Sequence, residues 1–178
     1  MKENLPTDTV VASWWDYGYW ITVKGEKITL ADNGTINRTQ IAQIGKMFMS
    51  NETQALPILQ EYTVDYVTVF TTLGLAQQGQ FLFGDEVKWR WMAKIGGLND
   101  TTLEDTSLTS QIAAAWSETT QDQNLLQWYQ QFSQLALPKS DTLLTTLMIH
   151  GVFRILPPEH FQLSFASSND LVFVYKVM

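Results

Sequence analysis

"DTVVASWW", residues 8–15, is the stretch from which the fold can be read. A turn-prone Pro6-Thr7-Asp8 leads into β-branched residues, the composition of a short buried strand. "VDYVTVF", residues 64–70, has the same character and predicts a parallel neighbour for it. Between them, "INRTQIAQIGKMFMS" sets Ile41, Ile44 and Phe48 at helical spacing, and "SNETQALPILQEY" predicts a second helix capped by Ser50 or Asn51, with a kink at Pro57. These helices supply the crossover that a parallel pair requires. "ITVKGEKITLAD", residues 21–32, alternates around Lys24-Gly25-Glu26 and predicts a small hairpin.

Further along, "QQGQFLFG" reads as loop and "DEVKWRWMAKIGG" as a helix stopped by its glycine pair. "SLTSQIAAAW", "DQNLLQWYQQFSQLAL" and "SDTLLTTLMIHG" each carry apolar residues on one face; in the second the stripe is Leu125, Trp128, Phe132 and Leu135. The chain ends in a hairpin turning around Ser167 to Asp170. The expected class is therefore α/β with an α+β tendency: a helix-rich domain with a small central sheet, flanking helices and a C-terminal β-hairpin.

Composition narrows the function classes. The 178 residues suit one domain, 1–178, large enough to bury roughly two thirds of its unfolded surface. Cysteine is absent, which removes disulfides, zinc knuckles and thiol nucleophiles. A net charge of −7 without a Lys/Arg cluster argues against nucleic acid as a partner. No run approaches the ~18 apolar residues of a membrane span. His150 and His160 lack carboxylate neighbours at metal-ligand spacing, and His150, at a helix end, reads as a capping or packing residue. Neither a nucleophile elbow nor a phosphate-cradling glycine loop occurs, so no catalytic residue and no metal ligand is assigned.

Two clusters carry chemistry. In "WWDYGYW", residues 14–20, five of seven residues are aromatic and Asp16 sits among them. The plain reading is a hydrophobic core at a strand end. Asp16 opposes it, because an acid among aromatics must find partners or stay neutral. Indole N–H donors and a carboxylate acceptor could together enclose a hydroxyl group. In "DEVKWRWM", Asp85, Lys88 and Met92 stand at i, i+3 and i+7, on one face of a helix, although in isolation a surface ion pair beside a core methionine is the better reading. Asn33, Asn37, Asn51 and Asn99 each begin an Asn-x-Thr acceptor sequence.

"SWWDYGYWI" resembles the Trp-Trp-Asp-Tyr-Gly motif of oligosaccharyltransferase catalytic subunits, the enzymes of asparagine-linked glycosylation. "LADNGTINRTQIAQIGKMFMS" and "VDYVTVF" resemble the segments that follow it, and "DEVKWRWM" is similar to the second motif, Asp-x-x-Lys-x-x-x-Met. The likeness is dense over residues 5–95 and thin beyond Leu98. Its Asp/Lys form is similar to archaeal and eukaryotic members, and the short chain to an archaeal one.

The resemblance implies the C-terminal globular domain of such an enzyme, on the extracytoplasmic face of a membrane. The multi-pass catalytic region, and the manganese or magnesium it uses, would lie elsewhere; no cofactor is expected in this domain. The implied partners are an acceptor polypeptide bearing Asn-X-Ser/Thr, the enzyme's own transmembrane region and a lipid-linked oligosaccharide. Trp14, Trp15, Asp16 and Lys88 would bind the Ser or Thr hydroxyl two residues after the acceptor asparagine, with Met92 or a neighbour on the threonine methyl. Asp85 would orient the helix or pair with Lys88, while Tyr17 and Gly18 shape the turn, Gly18 by a backbone conformation other residues resist. Alone, the domain would be inactive. A stand-alone carbohydrate-binding or interaction module, with tryptophans stacking on sugar rings, is the alternative. A small glycoside hydrolase using Asp16 and Asp85 is a third.

Overall fold

The computed structural model describes all 178 residues. In chain order the elements are β1 (Val10–Ala12), α1 (Gly18–Val23), β2 (Ile28–Thr29), α2 (Arg38–Met49), α3 (Glu52–Glu61), β3 (Tyr66–Phe70), α4 (Leu73–Ala76), α5 (Trp89–Ile95), α6 (Asp100–Leu103), β4 (Glu104–Asp105), α7 (Ser107–Ser117), α8 (Gln123–Phe132), β5 (Leu137–Pro138), α9 (Leu143–Phe153), β6 (Phe161–Ala166) and β7 (Val172–Val177). Single 3₁₀ turns at Trp15–Tyr17 and Asp85–Val87 precede α1 and α5.

Five strands form one mixed sheet in the order β2-β1-β3-β7-β6. β3 lies parallel to β1, with Val11 opposite Tyr66, as the two apolar runs predict. β7 is antiparallel to β3, and the C-terminal hairpin closes the far edge. The expected α/β class with its small central sheet is therefore what forms. α9 crosses one face of the sheet, where the Gly151 backbone meets the Phe173 ring and Tyr175 donates to the Leu147 carbonyl at 2.9 Å. It was expected to be apolar on one face only. Instead Leu143, Leu144, Leu147, Met148 and Ile149 are all buried, because α9 lies at the centre of the domain with elements on every side.

The expected hairpin over 21–32 does not form. Its first three residues are the end of α1, and β2 returns parallel to β1, pairing Val10 with Ile28 and Val11 with Thr29. Helix lets Ile21 turn into the core at 4% exposure while Trp20 and Val23 face out. Lys24-Gly25-Glu26 is the stop of that helix: the amides of Lys24 and Gly25 both return to the Trp20 carbonyl, and Glu26 takes φ +52°. α3 begins at the Asn51 cap, whose side chain accepts from the Gln54 amide, and runs on through Pro57. α8 ends at Phe132, so Leu135 packs from the loop beyond it.

Candidate functional site

The site lies where β1 and β3 reach their carboxyl ends, the edge at which open α/β sheets place ligands. After Ala12 the chain stays extended through Trp14, then tightens into the 3₁₀ turn, with the Tyr17 amide on the Trp14 carbonyl at 3.1 Å. That turn presents Asp16 and Tyr17 on the same side. From the other direction, Asp85–Val87 forms the second 3₁₀ turn and α5 starts only at Trp89. Lys88 is the joint between the two. Asp85, Lys88 and Met92 therefore do not share one helical face as their spacing predicted. Asp85 and Met92 are each 0% exposed, and Lys88 alone reaches outward.

What converges is a hydrogen-bonded chain. The Lys88 ammonium donates to Asp16 Oδ2 at 2.6 Å and to the Tyr17 hydroxyl at 2.7 Å, across 72 positions of sequence. Tyr17 donates to Asp85 Oδ1 at 2.9 Å, and Asp85 Oδ2 accepts from the Phe70 amide at 2.9 Å, at the end of β3. Lys88 Nζ also lies 4.4 Å from the Tyr17 ring centroid. The Asp16 and Lys88 side chains keep 28% and 26% exposure, so the pair sits at the mouth of the site while Asp85 closes its floor. One acceptor is left over: Asp16 Oδ1 is buried and has no partner.

The remaining motif residues are placed differently. Trp14 is 3% exposed and meets Trp15 edge-on, with ring centroids 6.4 Å apart. Trp14 is thus a core residue beneath a half-buried Trp15. Met92 belongs to the core, where its carbonyl backs onto Gly45 of α2 and cannot be reached from outside. Gly18 has φ −55°, ψ −41°, an ordinary helical conformation. Space, not torsion, demands glycine there, since a Cβ would stand 1.8 Å from the Ala31 carbonyl oxygen.

Sequence reasoning missed Glu86. It is wholly buried and accepts from the Thr72 amide, the Thr72 hydroxyl and the Gly84 amide. With Asp85 on Phe70 and Glu86 on Thr72, the turn that carries Lys88 is tied to the end of β3 at two points. The signal was present, weakly, as two consecutive acids where one helix cap would suffice.

Burial pushes the Asp85 carboxyl up to about 7, against the hydrogen bonds from Phe70 and Tyr17, which favour its ionised form. Burial, then the nearby Asp85 and Asp16 charges, raise Tyr17 far above its ordinary value, so it remains a neutral donor. A raised carboxyl favours folding below its unfolded value, and that contribution is lost as pH climbs from about 4 through 7. His150, lowered by burial, acts oppositely in the upper part of this window. The measurable quantity is therefore the difference from Asp85→Asn. Urea midpoints from pH 4.5 to 8 should fall more steeply with pH for the unsubstituted protein than for the variant; parallel profiles would show that Asp85 does not titrate there. No three His, Asp or Glu side chains converge as metal ligands, so no residue here is assigned to a metal.

The sequence pattern of the STT3/PglB/AglB core domain matches residues 7–157. The chain belongs to this family. The subunit stt3 of Schizosaccharomyces pombe dolichyl-diphosphooligosaccharide–protein glycosyltransferase is 43% identical over 97 residues, 53% of this chain and 12% of that protein. Subunit STT3 of the Saccharomyces cerevisiae enzyme is 32% identical over 185 residues, covering 99% of this chain and 25% of that protein. The chain thus spans an eighth to a quarter of the length of these relatives. The crystal structure of the C-terminal globular domain of an Archaeoglobus fulgidus oligosaccharyltransferase superposes with a TM-score of 0.58 at 21% identity, over 99% of this chain and 91% of that one. The two share a fold. No helix of this chain is long and apolar enough to cross a membrane.

Proposed function

We propose that this domain selects the acceptor asparagine for an oligosaccharyltransferase by binding the hydroxyl of the Ser or Thr two positions beyond it. The observation that carries the reading is the Asp16–Lys88 pair with one carboxylate oxygen unpartnered. An incoming hydroxyl donates to Asp16 Oδ1, while the Lys88 ammonium, already anchored on Asp16 and Tyr17, offers its remaining proton to the hydroxyl oxygen. Trp15 forms the apolar wall and Trp14 holds it from below. Alanine or valine in place of the hydroxyl residue leaves these polar groups unpaired, a penalty that reaches roughly 10⁴-fold discrimination in sites of this kind. Glycan transfer, with its metal and its lipid-linked oligosaccharide, belongs to a membrane region on whose extracytoplasmic side this domain would sit.

A sugar-stacking module finds less support, because Trp14 is buried and its edge-on contact with Trp15 offers no flat platform. The hydrolase reading fares worse: Asp16 is ion-paired and Asp85 is sealed beneath Tyr17.

Lys88→Ala, in an active oligosaccharyltransferase carrying this domain, tests the proposal. KM for an Asn-X-Thr peptide should rise about tenfold, the scale of one charge-assisted hydrogen bond, with kcat little changed. A fall in kcat alone would remove Lys88 from acceptor binding.

A further inference from the structure

A hollow of about 560 Å³ lies on the face of the sheet opposite α9. Its floor is two cross-strand pairs of β3 and β7, Thr68 with Val174 and Phe70 with Val172; Trp20 and Ile21 of α1 wall one side and Phe165 the other. This volume is within the range of small-molecule sites, as is the dominance of apolar lining. Thr68 is 5% exposed and its hydroxyl has no partner, one of only two buried side-chain polar atoms in the chain left so. Valine would fill the same place in a strand without that loss, so the hydroxyl asks for an acceptor from outside.

Charge points the same way. Lys2 and Lys24 line the hollow and no acid does. Lys24 has no ion pair, whereas Lys2 is matched by Glu26 at 2.6 Å. Beside them the buried Lys27 ammonium has only the Lys2 and Glu26 carbonyls, each at 3.4 Å. Three ammonium groups thus share one paired carboxylate, in a chain whose net charge is −7.

We propose that this hollow binds an amphipathic oxyanion as a single molecule, either a carboxylate or a phosphate monoester on an aliphatic chain. The head takes the Thr68 hydroxyl and the Lys24 ammonium, and the chain lies over Phe70 and Val172 toward the Tyr17 ring. Tyr17 lines the hollow and donates to Asp85, so occupancy is felt in the Asp16–Lys88 network. The inference does not depend on the acceptor reading.

The test titrates the protein with decanoate and with decyl phosphate, each below its micelle concentration, following backbone amide shifts and calorimetry. One-to-one binding is expected, with shifts at Thr68, Trp20 and Val172, and with decyltrimethylammonium at least tenfold weaker. Thr68→Val and Lys24→Gln should each weaken the anions about tenfold, one hydrogen bond to a charged group, while Thr68→Val melts no lower than the parent. Val172→Phe, which fills the hollow, should abolish binding. A stronger response to decanoate than to decyl phosphate identifies a carboxylate head, and the reverse a phosphate. Equal binding of the cationic amphiphile, or undiminished binding by the variants, would overturn the proposal. So would attachment only to anionic phospholipid vesicles that decanoate does not displace, which would make the patch a membrane contact.

Discussion

Asp16→Ala is expected to lower kcat/KM for an Asn-X-Thr peptide at least about 100-fold in an active oligosaccharyltransferase carrying this domain, while the domain itself stays folded. On the proposed reading the substitution removes the acceptor for the incoming hydroxyl, and it takes from the Lys88 ammonium its 2.6 Å partner, leaving only the Tyr17 hydroxyl at 2.7 Å. Truncating one member of a hydrogen-bonded charge pair at a binding site costs about 2–5 kcal/mol, or about 1.5 to 3.7 decades in rate, and on the proposed reading the acceptor hydroxyl loses its own bond as well, which sets the expectation at two decades or more. The fold loses far less. Both side chains are about a quarter exposed, so the pair contributes roughly 1 kcal/mol, or about 3 °C of melting temperature in a domain of this size. Selectivity provides the sharper readout: the preference for Asn-X-Thr over Asn-X-Ala should collapse along with the rate. If rate and melting temperature fall together, Asp16 is structural and the hydroxyl-binding reading fails.

That pair also shows how far the sequence could be read. β1, β3 and β7 were legible because their β-branched runs are short and bounded by turn residues, and β6 because the Ser167–Asp170 turn joins it to β7. α2 and α3 were legible from 3.6-residue spacing and an asparagine cap. The α1 region misled because Ile21-Thr22-Val23 fits the start of an alternating strand as well as the last turn of a helix in which Gly18 and Ile21 are the buried residues. Only the tertiary need to seat Ile21 decides between them. That Asp16 and Lys88 would meet could be inferred only from resemblance, since no local rule joins positions 72 apart. Met92 fits the core-methionine reading of its motif, but the shared face of Asp85, Lys88 and Met92 fails for a related reason. Their spacing assumes a helix from Asp85, whereas the carboxylates of Asp85 and Glu86 bind Phe70 and Thr72 and hold that segment as a 3₁₀ turn, delaying α5 to Trp89. Buried acids engaged by distant backbone amides leave no periodic trace in a sequence.

Gly18→Ala should be among the most damaging single changes to the fold, although local rules favour it. Gly18 is helical, and alanine is preferred to glycine inside a helix by about 1 kcal/mol. Packing opposes it. An added Cβ would stand 1.8 Å from the Ala31 carbonyl oxygen, 2.7 Å from its carbon and 2.8 Å from Asp32 Cα. All three are backbone atoms, so no side chain can rotate away, and α1 must separate from the strand-to-loop segment at 30–32. Overpacking usually costs about 1–3 kcal/mol; a contact this short belongs above that range, and the net loss should exceed about 3 kcal/mol. The melting temperature should drop by roughly 6–12 °C. Because α1 follows directly on Asp16 and Tyr17, the displacement also moves the site, and acceptor affinity should fall with stability. Gly74→Ala is the matched control: it too is helical, and its Cβ would meet only the Val152 side chain at 3.5 Å, an ordinary contact. That variant should melt within about 2 °C of the parent. Should Gly18→Ala do the same, the close approach of α1 to residues 30–32 does not exist in solution, and the glycine of the Trp-Trp-Asp-Tyr-Gly motif needs another explanation.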